Sequence, residues 1–430
     1  MKAAIYTLGC KVNQYESQAL SELLVQNGYT LTDPHGDADV YIINSCTVTA
    51  EADRKTRQHV RKFKREHPDS IVVLTGCMPQ AFPEDAAALS EADIIIGNKN
   101  SGQLLQLLDS YQKFGNRVVK ILPHENKEVF SSTIISSFEE RTRAFIKIQD
   151  GCNRFCSYCI IPYARGRVRS KAPEDIRTEL ETLAGQGYRE VVLVGINLSS
   201  YGQDNGHSFA EAVELACSVP GISRVRLGSL EPDHLTDEVL ERLSKCERLC
   251  PQFHISLQSG CDRTLKRMNR HYDTAEFRDL CSKLRTLFPD CTLSTDVMVG
   301  FCGESDEDFE NSLAFVREIG FEKIHVFPYS VRTGTRAETM GDHLPKQIKE
   351  ARAARMLELG SELRSTYLNA LTGKRTTVLF ESKHKDGAWF GCTPNYTPVC
   401  VKSETPLEGK ILAVEITGAK GDEYCKGRLI

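Results

Sequence analysis

The chain has 430 residues, 40% of them hydrophobic and 26% charged, and a formal net charge of −4. That length suits two to four domains, and the near-neutral charge excludes a chain that binds polyanions through bulk charge alone. The N-terminus, Met1 to Glu16, has no long apolar core or small-residue cleavage site, and no apolar run reaches bilayer length, so a cytoplasmic protein without a membrane partner is expected. Its 16 cysteines then point to metal binding, catalysis or packed thiols rather than to disulfides.

The first part of the chain alternates short apolar runs with helical patterns. Ala3–Thr7, Val40–Ser45, Ile71–Thr75 and Ile94–Ile96 read as buried strands, and Tyr15–Gln26, Ala50–His67 and Ser101–Ser110 as helices. That alternation predicts an α/β domain with a doubly wound parallel sheet, residues 1–113. Gly115 to Glu140 is polar and reads as a linker with room for a short hairpin. The alternation resumes with strands at Ala144–Gln149, Glu190–Val194, Val225–Gly228, Phe253–Leu257, Leu293–Val299 and Lys323–Phe327. Six β/α units over residues 138–368 predict an open, partial barrel with its site at the C-terminal strand ends. Lys346–Leu371 reads as a long charged helix, and short strand-like runs over residues 371–430 predict a small all-β barrel.

Directly after the first strand of the central region stands Gly151-Cys152-Asn153-Arg154-Phe155-Cys156-Ser157-Tyr158-Cys159. Three closely spaced thiolates suit an iron–sulfur cubane and leave its fourth iron free for a substrate. A structural zinc needs four ligands, and no fourth Cys or His is near in sequence. Cys10, Cys46 and Cys77 each lie just past a predicted strand of the first region. Strand ends of a parallel sheet share one edge, so these thiols are either a metal site or three separate buried cysteines.

The motif around Cys152, Cys156 and Cys159 resembles the radical S-adenosylmethionine superfamily. The wording Thr7-Leu8-Gly9-Cys10-Lys11-Val12-Asn13-Gln14, Asn44-Ser45-Cys46-Thr47 and Gly76-Cys77, continued by Ile161-Pro162-Tyr163-Ala164-Arg165-Gly166, Leu257-Gln258-Ser259-Gly260 and Asp296-Val297-Met298-Val299-Gly300-Phe301, resembles the methylthiotransferases over essentially the whole chain. The resemblance implies two [4Fe–4S] clusters, one on Cys10, Cys46 and Cys77 and one on Cys152, Cys156 and Cys159, the latter binding and cleaving S-adenosylmethionine. It also makes the C-terminal barrel a TRAM domain, an RNA-binding module. Gly195-Ile196-Asn197-Leu198-Ser199-Ser200-Tyr201-Gly202 and Arg226-Leu227-Gly228-Ser229-Leu230-Glu231-Pro232 look most like the group acting on N6-threonylcarbamoyladenosine. The implied reaction is methylthiolation at C2 of that adenine at tRNA position 37, in the anticodon stem-loop. Groups acting on isopentenyladenosine in tRNA, or on an aspartate of a ribosomal protein, are the alternatives. Flavodoxin or ferredoxin would supply electrons.

Asn197, Gln258 and Asp296, at predicted strand ends, are candidates for contacts with S-adenosylmethionine. Arg165 and Arg332 are candidates to meet its carboxylate or the substrate. Structural hydrogen bonding is the alternative for all five. Two basic stretches are candidates for phosphate contact: seven basic residues and no acid from Arg54 to Arg65, and eight from Arg141 to Lys171 against Asp150. In the C-terminal barrel, Lys374, Arg375, Lys383 and Lys385 could track a backbone, and Phe380, Trp389, Phe390 and Tyr396 either stack on bases or fill the core. Cys302 stands where the family usually has proline. Cys246 and Cys250, with His254 near, form a weak zinc pattern, and Cys217, Cys261, Cys281, Cys291, Cys392, Cys400 and Cys425 read as packed thiols.

Overall fold

A computed structural model describes residues 1–138, 142–384 and 387–430. The first sheet holds β1 (Lys2–Thr7), β2 (Thr30–Leu31), β3 (Val40–Ser45), β4 (Ile71–Gly76), β5 (Ile94–Ile96) and β6 (Val118–Lys120), all parallel, in the order β2-β1-β3-β4-β5-β6. β3 and β4 are buried at every position, as central strands covered by helices on both faces must be. Separate apolar clusters fill the two faces, one around Tyr41, Val60 and Phe63 and the other around Leu20, Leu24 and Leu108.

The expected linker is in part a strand. β6 pairs with β5, so the sheet extends to Lys120. The chain beyond it is strapped down between the first sheet and the next region. Gln80 donates to the Leu122 carbonyl at 2.9 Å, and Tyr15 to the Thr133 carbonyl at 2.7 Å. The signal was weak because Val118–Lys120 is three residues long and only half buried.

The central region contains β7 (Arg143–Lys147), the two-residue strands β8 (Gln149–Asp150) and β9 (Arg169–Ser170), then β10 (Glu190–Val194), β11 (Arg224–Leu227), β12 (Ser229–Leu230), β13 (Gln252–Ile255), β14 (Thr292–Val299) and β15 (Lys323–Pro328). β7, β10 and β11 are neighbours, as are β12 to β15, all parallel, with the break at Gly228. β7 and β15 are the free edges, so the expected partial barrel is present and open on one side. The helix Lys11–Gln26 of the first region sends Val12 and Tyr15 into the barrel's own apolar core.

The C-terminal strands β16 (Arg375–Lys383), β17 (Ala388–Cys392), β18 (Pro398–Lys402), β19 (Ile411–Lys420) and β20 (Tyr424–Leu429) close in the order β16-β17-β18-β20-β19. This small barrel packs on the N-terminal strand ends of the large one. Arg224 donates to the Cys392 and Thr377 carbonyls, both at 3.1 Å, and Arg226 to the Pro394 carbonyl at 2.8 Å. Phe380 and Trp389 are core residues, and the Tyr396 ring lies under the guanidinium groups of Arg143 and Arg226. These rings are therefore structural. Lys374 and Arg375 are exposed, whereas Lys385 lies outside the described residues, as does Arg141. Among the described residues no helix is long and apolar enough to cross a membrane.

Candidate active site

The sheet brings Cys10, Cys46 and Cys77 to one edge because three strand-end loops are laced together. Asn13 donates through one amide to the Leu8 and Ser45 carbonyls, both at 2.9 Å. Ser45 donates to the Thr75 carbonyl at 2.6 Å and accepts from the Met78 N–H at 3.1 Å. Close approach also needs glycine. Gly9 has φ +114° and a Cβ there would stand 2.8 Å from the Cys46 Cβ; Gly76 has φ +97° and its Cβ would meet the Ser45 backbone at 2.5 Å. A Gly9→Ala variant is therefore expected to form less than half the wild-type content of the first cluster, read as iron per chain after anaerobic reconstitution, with the second cluster intact.

The second triad rides on the loop after β8. Ser157 holds this loop to the barrel, its N–H donating to the Met268 carbonyl at 3.0 Å and its hydroxyl to the Arg267 carbonyl at 2.8 Å. Gln149 ties the loop to the next strand end: it donates to the Gly151 carbonyl at 2.7 Å and accepts from the Asn197 N–H at 2.8 Å. Hydrogen bonds reach the sulfurs. Asn197 lies 3.8 Å from the Cys152 Sγ, and Arg270 donates to the Cys156 Sγ at 3.2 Å while ion-paired with Glu231. Arg270 was not among the candidates of the sequence, and Glu231 stood there only within the Arg226–Pro232 wording, without a role. Glu231 sits past the short strand β12, but nothing local distinguishes Arg270 from its basic neighbours.

Burial dominates the thiols. It pushes Cys77 up to about 12 and Cys152 to about 11, and it raises Cys46, Cys156 and Cys159 as well. Without a positive centre these groups stay protonated, so cluster assembly must displace their protons. Among the described residues no three such side chains converge on one metal ion. Three thiols of a cubane bind three different irons and so stand apart around a cluster. Both all-sulfur donor sets fit that group, and the hydrogen bonds to Cys77, Cys152 and Cys156 are of the kind that tune it.

Arg165 connects the two triads. It ends the short helix Ile161–Arg165, six residues beyond Cys159, and is 1% exposed. Its Nε donates to the Cys77 Sγ at 3.1 Å and one terminal nitrogen to the Asn13 Oδ1 at 3.0 Å, and it is ion-paired with Glu16. Arg332 clamps the domains a second time, donating to Asp53 at 2.6 Å and to the Thr47 hydroxyl at 2.8 Å. Both arginines are thus taken up at the domain interface. Gln258 holds a positive φ of 65° and exchanges backbone hydrogen bonds with Asp296 and Met298, and the Asp296 carboxylate is 3.3 Å from His254. Arg332→Met would strand the buried Asp53 carboxylate, at about 3–5 kcal/mol. A lower thermal midpoint for this variant, restored by Asp53→Asn in the same chain, is the expected outcome.

The basic stretches are less available than their composition promised. Arg54 pairs with Glu51, Arg61 with Glu91 and Lys64 with Asp93. Lys147, Arg165, Arg169 and Lys171 are buried in ion pairs, among them Lys147 with Asp150 and Lys171 with Glu179. Instead, large apolar side chains are exposed near the site residues in sequence: Val48 beside Cys46, Phe155 and Tyr163 beside the second triad, and Phe327 and Val331 at the end of β15. Phe155 and Tyr163 pack edge to face, and Arg167 lies 4.6 Å over the Phe155 ring. The weak zinc pattern does not assemble: Cys246 donates to the Arg242 carbonyl at 3.7 Å, and His254 hydrogen-bonds with Ser294 at 3.1 Å. Cys217 packs partly buried against the barrel core. Cys302 is buried among Phe301, Tyr329 and Ala337.

Three family models match the chain: the uncharacterized protein family UPF0004 over residues 2–97, the radical SAM superfamily over 146–316 and the TRAM domain over 369–430. A threonylcarbamoyladenosine tRNA methylthiotransferase MtaB of Bacillus subtilis is 37% identical over 99% of this chain and 96% of its own length. The protein of the same description from Aquifex aeolicus is 38% identical over 88% of this chain and 92% of its own. A tRNA-2-methylthio-N(6)-dimethylallyladenosine synthase of Clostridium botulinum is 37% identical over 96% and 94%. The radical S-adenosylmethionine methyltransferase TsrM of Kitasatospora setae shares the fold, with TM-score 0.58 and 14% identity over 76% of this chain and 74% of its own. The chain belongs to the radical S-adenosylmethionine tRNA methylthiotransferases. Its cofactors are accordingly two [4Fe–4S] clusters and S-adenosylmethionine.

Proposed function

We propose that this chain converts N6-threonylcarbamoyladenosine at tRNA position 37, next to the anticodon, to its 2-methylthio form. The observation that carries this reading is the pair of cysteine triads joined through Arg165 within 14 residues of the second triad's first cysteine, 152 to 165. The wording at Leu8 to Asn13, Gly195 to Gly202 and Arg226 to Pro232, which looks most like the threonylcarbamoyladenosine group, supports it. Cys10, Cys46 and Cys77 would hold one cluster, and Cys152, Cys156 and Cys159 the other, with its open iron for S-adenosylmethionine. When bound, these groups supply electron transfer, hydrogen abstraction and the methylthio group.

The protein's own part is to orient and to exclude water. Asn197 and Arg270 fix the sulfurs of the second triad. Gln258 and Asp296 belong to the strand ends that would face S-adenosylmethionine. Arg165 and Arg332 serve as positioning residues that set one triad against the other. The rim of Phe155, Tyr163 and Arg167 offers stacking surface to the unpaired bases of an anticodon loop. Domain limits of 1–113, 138–368 and 371–430, a cytoplasmic setting and a flavodoxin or ferredoxin as electron donor complete the reading; β6 argues for moving the first limit to Lys120.

Two measurements test it. Nucleosides from the tRNA of a deletion strain should lose 2-methylthio-N6-threonylcarbamoyladenosine and keep its unthiolated precursor. Loss of the dimethylallyladenosine derivative instead would favour the second reading, which the Clostridium relative supports equally by identity, and intact tRNA would turn attention to the ribosomal protein. Separately, Phe155→Ala with Tyr163→Ala should weaken stem-loop binding about 10-fold or more, at about 1–3 kcal/mol per stacked base. An unchanged affinity would remove the rim from the RNA interface.

A further inference from the structure

The second triad and Arg165 lie on one closed loop. The Cys152 N–H donates to the Gly166 carbonyl at 3.1 Å and so joins the two ends. Within the loop the Cys159 N–H reaches the Cys156 carbonyl at 2.9 Å, the Ala164 N–H the Ile160 carbonyl at 3.1 Å, and the Gly166 N–H the Pro162 carbonyl at 3.0 Å. Backbone hydrogen bonds therefore run from the three thiols round to Arg165 with little slack. The guanidinium leaves this loop for the first triad. It donates to the Cys77 Sγ at 3.1 Å and to the Asn13 Oδ1 at 3.0 Å, and it is ion-paired with Glu16. Asn13 and Glu16 stand on the helix Lys11–Gln26, whose N-cap is Cys10. Arg165 thus grips the first triad twice, at the Cys77 sulfur and at the helix that Cys10 opens. Among the described residues neither Cys10 nor Cys46 accepts a hydrogen bond from a cationic side chain.

Reduction adds negative charge to an iron–sulfur cluster. A cation that hydrogen-bonds to a ligand sulfur therefore favours the reduced form and raises the reduction potential. Arg165 is 1% exposed, so water screens its charge little. We propose that Arg165 makes the reduction potential of the first cluster depend on the second triad: a cluster held there fixes the loop, and the fixed loop presses Arg165 against Cys77. Arg165 is then a positioning residue through which a site in one domain sets the redox state of a site in the other. The inference rests on the two-cluster assignment above. Its sign separates it from plain electrostatics between the clusters. Removing a neighbouring thiolate-bound cluster takes away negative charge and by itself raises the potential of the first. Loosening Arg165 from Cys77 lowers it.

The test uses the full-length protein, anaerobically reconstituted, in four forms. They are the wild type, Arg165→Met, a variant with Cys152, Cys156 and Cys159 all replaced by Ala, and the two changes combined. Electron paramagnetic resonance at poised potentials reads the midpoint of the first cluster, which is the transition lost when Cys10, Cys46 and Cys77 are replaced. Arg165→Met should shift that midpoint to a more negative potential, and Arg165→Lys should fall between. Loss of the second triad should shift it further in the negative direction with Arg165 present than with Arg165→Met, since only the former has a contact to lose. An unchanged midpoint in Arg165→Met would overturn the proposal. So would an equal shift with and without Arg165, the mark of direct electrostatics. Iron content and thermal midpoint show whether each variant is folded. Glu16 retains a partner in Lys147, 2.8 Å away, and Arg165→Met combined with Glu16→Gln replaces Arg165→Met if the single change does not fold. A first triad that holds no iron would refute the two-cluster assignment itself, whereas iron with an invariant midpoint refutes only the role of Arg165.

Discussion

The buried guanidinium of Arg165 is the contact on which the rest of the molecule depends. It is delivered by the chain segment that carries the second cysteine triad, and it is spent on the first: Cys77, Asn13 and Glu16. Planar, forked donors suit such a site, since one group serves a sulfur, an amide oxygen and a carboxylate at once. Because Asn13 also laces the loops after β1 and β3, Arg165 registers the whole first sheet edge against the barrel mouth. Arg332 with Asp53 and the apolar pair Val12 and Tyr15 then fix the remaining freedom between the domains. Two redox centres that must both meet one nucleobase need such fixed geometry, because misplacement of reacting groups by an ångström is costly.

The division of labour follows from this arrangement. The cysteine loops lie past the C-terminal strand ends, whereas the small barrel occupies the N-terminal ends, held by Arg224 and Arg226. Any RNA bound by both must therefore span the side of the central barrel. On the proposed reading, base contacts would fall to Phe155 and Tyr163, and the small barrel would hold RNA farther from the reaction.

Much of this was legible in the sequence because it rests on local patterns. Alternating apolar runs and helices gave both α/β regions. The cysteines could be placed on a common edge because each follows a strand. What stayed hidden is long-range. Val118–Lys120 is too short to announce itself as a strand, and its partner β5 is itself only three residues long. The runs 54–65 and 141–171 look like phosphate-binding surfaces in one dimension, but acids outside them engage several of their bases: Glu91 and Asp93 hold Arg61 and Lys64, and Glu16, Glu128 and Glu179 hold Lys147, Arg169 and Lys171. Trp389 and Tyr396 could equally have faced RNA or protein, and only the closing of the small barrel decides. Arg165 and Arg332 were singled out for S-adenosylmethionine or substrate, with structural hydrogen bonding as the alternative; the partners they have lie in the other domain, 88 or more positions away for Cys77 and Asp53.

The central claim is the proposal that the two cysteine triads hold two clusters near enough to serve one nucleobase. Electron paramagnetic resonance of the fully reduced protein tests it most directly. The comparison is with the sum of the spectra of two variants, one lacking Cys10, Cys46 and Cys77 and the other lacking Cys152, Cys156 and Cys159. Magnetic coupling between adjacent reduced clusters predicts a wild-type spectrum broadened or split beyond that sum, with faster relaxation. A wild-type spectrum equal to the sum, or one that matches a single variant, would contradict the account.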